Sequence, residues 1–178
     1  MSSLDEHDLA GVVIDSLKFA ADGGCLTGNL AVSSLSRLAD LLASTEGWLS
    51  AELSGFRGTG DREGNLGLHL CVTGRLVLWC QRCLAEVDFD CIIDSRLLLM
   101  PPSAPEADWP EDELESDDYD AIPASREMSV RLLIEDEVLL ALPIVPRHAD
   151  CLPPEALEIK FELSEPSPFA VLAGLKKH

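Results

Sequence analysis

Positive charge is scarce in this chain of 178 residues: 13 lysines and arginines stand against 32 aspartates and glutamates, a formal net charge of −19. A field of that sign repels phosphate backbones and anionic lipid, which disfavours direct, non-specific nucleic-acid binding and favours a basic partner. Long apolar runs are missing too. No stretch approaches the roughly 20 residues that a membrane-spanning helix needs, and Met1 to Leu9 carries acids where a secretory leader would carry a basic region ahead of an apolar one. These absences give the expectation of a cytoplasmic protein. Six cysteines, Cys25, Cys71, Cys80, Cys83, Cys91 and Cys151, are too few for a disulfide framework in a chain that is 47% apolar and can bury a core. They are expected as thiols or metal ligands.

Catalytic signatures are also absent. There is no nucleophile elbow, no phosphate-binding glycine loop and no His-Glu-x-x-His. The run from Gly58 to Gly64 is glycine-rich but lacks a Lys-Ser/Thr ending and a following helix, so it reads as a hairpin loop. No catalytic residue and no small-molecule substrate are assigned.

The length fits one domain over residues 1–178. Leu9 to Phe19 is apolar, ends at the turn Asp22-Gly23-Gly24 and reads as extended. Leu35, Leu38, Ala39 and Leu42 recur at helical spacing between Ser33 or Ser34 as a cap and Gly47 as a stop, which predicts a short amphipathic helix. From residue 48 the period is two. Leu49, Ala51 and Leu53 alternate with polar residues, as do Leu66, Leu68, Leu70 and Val72, and then Val87, Phe89, Cys91 and Ile93. The last two stretches meet at Cys80 to Cys83, which predicts an antiparallel hairpin with the cysteines at its tip.

Residues 101–120 hold four prolines, nine acids and no basic residue, so a mobile acidic loop is expected at about 101–124. A cap at Ser125 or Ser129 then opens a helix that stops before Pro143. The chain is completed by a tail segment at about 152–178 whose end, Pro168 to Lys177, reads as a short terminal helix. The fold class that follows is α+β: an antiparallel sheet, curled toward a barrel, covered on one face by the helix at 129–142.

Cys80-Gln81-Arg82-Cys83 is the strongest chemical signal. Two thiolates two residues apart can grip one tetrahedral ion, and a second pair, His148 and Cys151, could close the site across an interval of 64 residues. His69 and Cys71 lie within a strand on one pleat face, and His7 and His178 lie near the termini, which leaves His148 and Cys151 as the partners. Three readings of the cysteine pair stay open: one structural zinc, a redox dithiol, or a tight turn without metal. Redox pairs usually open a helix, whose N-terminus lowers the first thiol's pKa, whereas this pair lies between strands. Glu135, Asp136 and Glu137 point about 100° apart on a helix and cannot converge on one atom, so rather than acting as catalysts they are expected to cap, to bond neighbours or to meet a basic partner, and they are partner-binding candidates. The acids Glu111, Asp112, Glu113, Glu115, Asp117 and Asp118 of the central loop join them as partner-binding candidates.

Three stretches together resemble the YceD family of large ribosomal RNA subunit accumulation proteins. They are Cys80 to Cys83; Glu135 to Pro146 with His148 and Cys151 behind it; and Pro168-Phe169-Ala170-Val171-Leu172 followed by Leu175-Lys176-Lys177. The likeness spans most of residues 25–177, with Ser167 where the family usually has Asn. The resemblance implies a non-enzymatic bacterial factor in the synthesis, processing or stability of large-subunit ribosomal RNA. With the charge, it gives the expectation of a basic ribosomal protein or a large-subunit assembly intermediate as partner. Two alternatives remain: a cytosolic thiol-redox or zinc-dependent enzyme using Cys80 and Cys83, and a metal-free structural adaptor.

Overall fold

The computed structural model describes residues 7–58, 64–101 and 119–151. The hairpin is its longest feature: β5 (Leu66–Trp79) pairs antiparallel with β6 (Glu86–Met100) without interruption from Gly67↔Leu98 to Trp79↔Glu86. Along β5, Leu68, Leu70, Val72, Leu76 and Leu78 are buried, as the alternation predicts. β4 (Trp48–Arg57) lies on the other edge of β5, and β2 (Cys25–Ala31) lies beyond β4. The short β3 (Leu42–Ser44) pairs with β5 at Leu78 and Val77, past the end of β4. β7 (Asp120–Pro123) completes the sheet by parallel pairing with Leu97 to Met100. The order β2-β4-β5-β6-β7 ends on two different edge strands, so the sheet is open and not the curled barrel that was expected.

One face of this sheet carries the core. Leu30, Leu49, Leu53, Leu70, Val72 and Leu97 meet Val130, Ile134 and Val138 of helix α2 (Val130–Ala141). Ser129 caps α2 by accepting the Leu132 N–H, and the helix stops at Leu142 before Pro143. A small ribbon of β1 (Val13–Ile14) and β8 (Met128–Ser129) holds the entrance of the helix.

Three expectations need correction. Leu9 to Phe19 is not one extended segment, because Asp15 accepts the Lys18 N–H and starts α1 (Ser16–Ala21). That helix approaches β4 at Gly55, where a Cβ would stand 2.6 Å from Ala20 Cα and 2.7 Å from the Phe19 carbonyl oxygen. The stretch 35–42 is not a helix either. Leu35, Leu38 and Leu42 are buried as the periodicity suggests, but on a short 3-10 turn (Val32–Ser34) followed by further turns. There the Arg37 N–H donates to the Glu135 carboxylate at 2.7 Å, and the chain leaves at Leu42 to pair with β5. The far end of the expected acidic loop at about 101–124 is not loop, since Asp120–Pro123 is β7; residues 102–118, and the tail segment at 152–178 with the terminal helix expected there, lie outside the described residues.

Glu137 on α2 faces the sheet at 8% exposure and accepts a hydrogen bond from the Ser95 hydroxyl. Burial raises its pKa above the ordinary 4.5; Ser95 pulls it down, and the charges of Asp120 and Asp136 push it up. A raised folded pKa means that the stability from this group is full below the unfolded value and is lost as pH rises through the folded one. Glu137→Gln keeps the shape and an acceptor for Ser95 without a charge. Denaturant unfolding between about pH 4 and pH 8 is expected to show the variant gaining on the wild type as pH rises; parallel pH profiles would contradict the buried carboxylate.

Candidate metal centre

The hairpin tip is a tight knuckle. The Cys80 N–H donates to the Ala85 carbonyl at 2.8 Å and the Leu84 N–H to the Cys80 carbonyl at 2.9 Å. Leu84 takes the left-handed conformation, φ 60°, which a non-glycine residue adopts at a cost of about 1–2 kcal/mol. Strain of this kind persists where surroundings over-determine it, and here the two backbone bonds between Cys80 and Leu84–Ala85 close the turn around it. The chain leaving α2 arrives at the same place. The Gln81 N–H donates to the Pro146 carbonyl at 2.9 Å, which fixes the loop that carries His148 and Cys151.

All four sequence-predicted ligands converge. Cys80 Sγ lies 3.6 Å from Cys151 Sγ, and Cys83 Sγ lies 3.4 Å from His148 Nδ1. One donor atom from each of the four lies within 4.8 Å of every other. A tetrahedral ion with bonds of about 2.3 Å to sulfur and 2.0 Å to nitrogen sets S···S edges near 3.8 Å and S···N edges near 3.5 Å. The Cys80–Cys151 and Cys83–His148 pairs match those edges, so these residues can hold a metal ion. The orientation of His148 supports this. Its Nε2 lies 2.8 Å from the Glu86 carbonyl oxygen, an arrangement in which Nε2–H donates and the Nδ1 lone pair faces the sulfurs. This contact to a backbone carbonyl has no side-chain signature in the sequence.

The thiols are polarised unequally. Burial alone would raise the Cys80 thiol, but hydrogen bonds from the backbone at Cys83, Arg82 and His148, and from the Cys83 side chain, bring it down to about 5. Burial raises Cys151, and its hydrogen bonds to Cys80 and Cys83 together with their charges raise it further. Crowded sulfurs that cannot all ionise alone are what a divalent cation offsets.

The partner-binding candidates divide. Glu111, Asp112, Glu113, Glu115, Asp117 and Asp118 lie outside the described residues. Glu135 is fully buried: one oxygen accepts the Arg37 N–H, and the other pairs with Arg131 Nη1 at 3.4 Å. Glu137 is turned inward on Ser95. Both bond neighbours, as one of the three expectations had it, and neither presents its carboxylate to a partner, which corrects their place among the partner-binding candidates; Asp136 alone of the three is exposed, in an ion pair with Arg37.

A family model described as "Large ribosomal RNA subunit accumulation protein YceD" matches residues 68–176. The chain belongs to the YceD family. The match begins inside β5 and takes in the knuckle, α2 and the loop with His148 and Cys151, while β2, β3 and β4 precede it. No solved structure matches this YceD-family chain.

Reduced, metal-free protein titrated with Co²⁺ should develop thiolate-to-metal absorption and release protons as the thiols ionise. Cys83→Ser and His148→Ala are expected to abolish tight binding, whereas Gln81→Ala, which keeps the backbone bond to Pro146, leaves it unchanged. Equal affinities for all three variants would dissociate the cluster from metal.

Proposed function

We propose that this YceD-family chain is a non-enzymatic factor in ribosome biogenesis that supports the synthesis, processing or stability of large-subunit ribosomal RNA. The observation that carries the reading is the family match, which contains the whole Cys80, Cys83, His148 and Cys151 set. In this reading one structural zinc locks the loop after α2 onto the hairpin tip, and an acidic surface engages a basic ribosomal protein. Three thiolates and one imidazole are a donor set suited to a closed zinc site. The net charge of −19 supports a basic protein partner over RNA, because association of opposite charges is steered and phosphate is repelled.

A thiol-redox reading draws on the hydrogen bonds from the backbone at Cys83, Arg82 and His148 that lower the Cys80 thiol. Against it stands the burial of Cys80 at 0% exposure, since thiol exchange needs access to the attacking sulfur. A low pKa in a buried sulfur fits a ligand better than a nucleophile.

Protein purified without chelator is expected to retain one zinc per chain by elemental mass spectrometry and to lose thermal stability on chelation. It should bind basic large-subunit ribosomal proteins, with affinity falling steeply as salt is raised. Cells lacking it should show a deficit of large-subunit ribosomal RNA relative to small-subunit RNA, restored by wild type and not by Cys80→Ser/Cys83→Ser. Tight binding to ribosomal RNA at physiological salt, with indifference to basic ribosomal proteins, would overturn the partner assignment.

A further inference from the structure

The sheet has a second face, turned away from both helices. It carries Glu52 on β4, His69, Cys71, Thr73 and Arg75 on β5, and Asp90, Ile92, Asp94 and Arg96 on β6. His69 and Cys71 are neighbours on this face because side chains two apart on a strand point the same way. Asp94 stands opposite Cys71 in the β5–β6 register, and Glu52 stands opposite it in the β4–β5 register.

Three of these groups close on one point. His69 Nε2 lies 2.6 Å from Asp94 Oδ1 and 3.5 Å from Cys71 Sγ. A nitrogen, a sulfur and a carboxylate oxygen of the three all lie within 4.8 Å of one another. The trio contains the residue types of a nucleophilic triad, but its geometry is wrong for one. A triad base turns one ring nitrogen to the nucleophile and the other to the acid, whereas here sulfur and carboxylate share Nε2. The thiol is also poorly activated: burial, then the charges of Asp94 and Glu52, push it above its ordinary value.

Those same features suit a cation. An imidazole nitrogen, a sulfur and a carboxylate face one another on a strongly acidic protein's surface, and a divalent ion would take the place of the proton through which His69 and Asp94 now bond. The 3.5 Å between sulfur and nitrogen matches the edge of about 3.5 Å expected for a tetrahedral zinc-class ion, and the exposed Asp94, now hydrogen-bonded at 2.6 Å, has to swing out to an N···O edge of about 3.3 Å to join it. Asp94, at 72% side-chain exposure, leaves the outer side open to solvent. We propose that His69, Cys71 and Asp94 form a separate, exchangeable site for a zinc-class divalent ion, with three protein ligands and water in the remaining position. The site is independent of whether the knuckle holds zinc. Its mixed nitrogen, sulfur and oxygen donors and its exposure make it weaker than a closed site of three thiolates and a histidine.

The full chain, reduced and metal-free, is titrated with Zn²⁺ against a chromophoric chelator and with Co²⁺ followed by visible absorption. Wild type is expected to bind one equivalent more than His69→Ala or Cys71→Ser, and the lost equivalent is the weaker one. The Co²⁺ spectrum of that equivalent carries a thiolate band that Cys71→Ser removes, and Asp94→Asn weakens its binding. His69 and Cys71 are on the solvent face, so both variants keep the thermal stability of the metal-free protein. If the knuckle binds no metal, wild type binds a single equivalent and His69→Ala none, so failure of the knuckle reading is told apart from failure of this one. Stoichiometry and Co²⁺ spectrum left unchanged by both His69→Ala and Cys71→Ser would overturn the proposal.

Discussion

The 13 consecutive pairs between β5 and β6 are the constraint from which the other arrangements follow. A strand ladder has a side-chain period of two, so a slip of one residue would bring Asp88, Asp90 and Asp94 into the core and put Phe89, Cys91 and Ile93 in water. The register is thereby pinned along its whole length by burial. Once it is pinned, the turn from Cys80 to Ala85 has no freedom to migrate, and the knuckle forms at one place on the chain. The same register brings the Glu86 carbonyl to His148, sets Ser95 before Glu137 and puts Asp94 across from Cys71. Three polar clusters of different kinds are thus read off one ladder.

Helix α2 converts that register into closure. Its 12 residues span about 18 Å, carrying the chain from the β1–β8 ribbon across the core face and releasing it at Pro143. The tight passage from Leu142 to Cys151 then reaches the knuckle, where Gln81 and Pro146 fix its path by a backbone bond that needs no particular side chain. The helix also brings two acids indoors, and the protein handles them differently. Glu135 is surrounded by donors, the Arg37 N–H and the Arg131 guanidinium, and removing its acceptor would leave the Arg37 N–H without this bond while Arg131 keeps the Ser34 carbonyl. Glu137 has a hydroxyl and two neighbouring carboxylates, so its pKa moves up. Among the described residues no buried side-chain nitrogen or oxygen lacks a hydrogen bond, so both solutions are complete.

Alternation made the long strands legible in the sequence because each has one wet and one dry face; β4, β5, β6 and α2 with its Ser129 cap lie where the pattern puts them. The convergence of Cys80, Cys83, His148 and Cys151 was legible from ligand spacing alone. Elements whose identity depends on distant partners were not. Leu35, Leu38 and Leu42 carry a helical period and are buried, yet Arg37 bonds to α2 and Leu42 to β5, contacts no local pattern contains. β7 sits in an acidic stretch that burial alone could not order, and it holds its place by parallel backbone pairing to β6. Glu135 and Glu137 could not be sorted in the sequence between bonding neighbours and meeting a partner, because charge usually implies exposure and only their tertiary partners decide. Asp94 could not be joined to His69 and Cys71 without knowing the register, although each residue is plain in the sequence.

Tying the loop after α2 to the knuckle has a thermodynamic consequence that separates this centre from a local turn. Ligands from Cys83 and His148 enclose 64 residues, a span containing β6, β7, β8 and α2. A cross-link across such an interval removes more conformational freedom from the unfolded chain than one closing a short loop, although the gain grows only with the logarithm of loop length. A metal bound by these four residues would therefore oppose unfolding of the whole C-terminal half of the sheet and its helix. The stretch it encloses also contains residues 102–118, with most of the chain's densest acidic run. The two flanks of that run, Leu97 to Met100 of β6 and Asp120–Pro123 of β7, pair with each other, so the cross-link closes over a sheet edge that backbone hydrogen bonds have already formed.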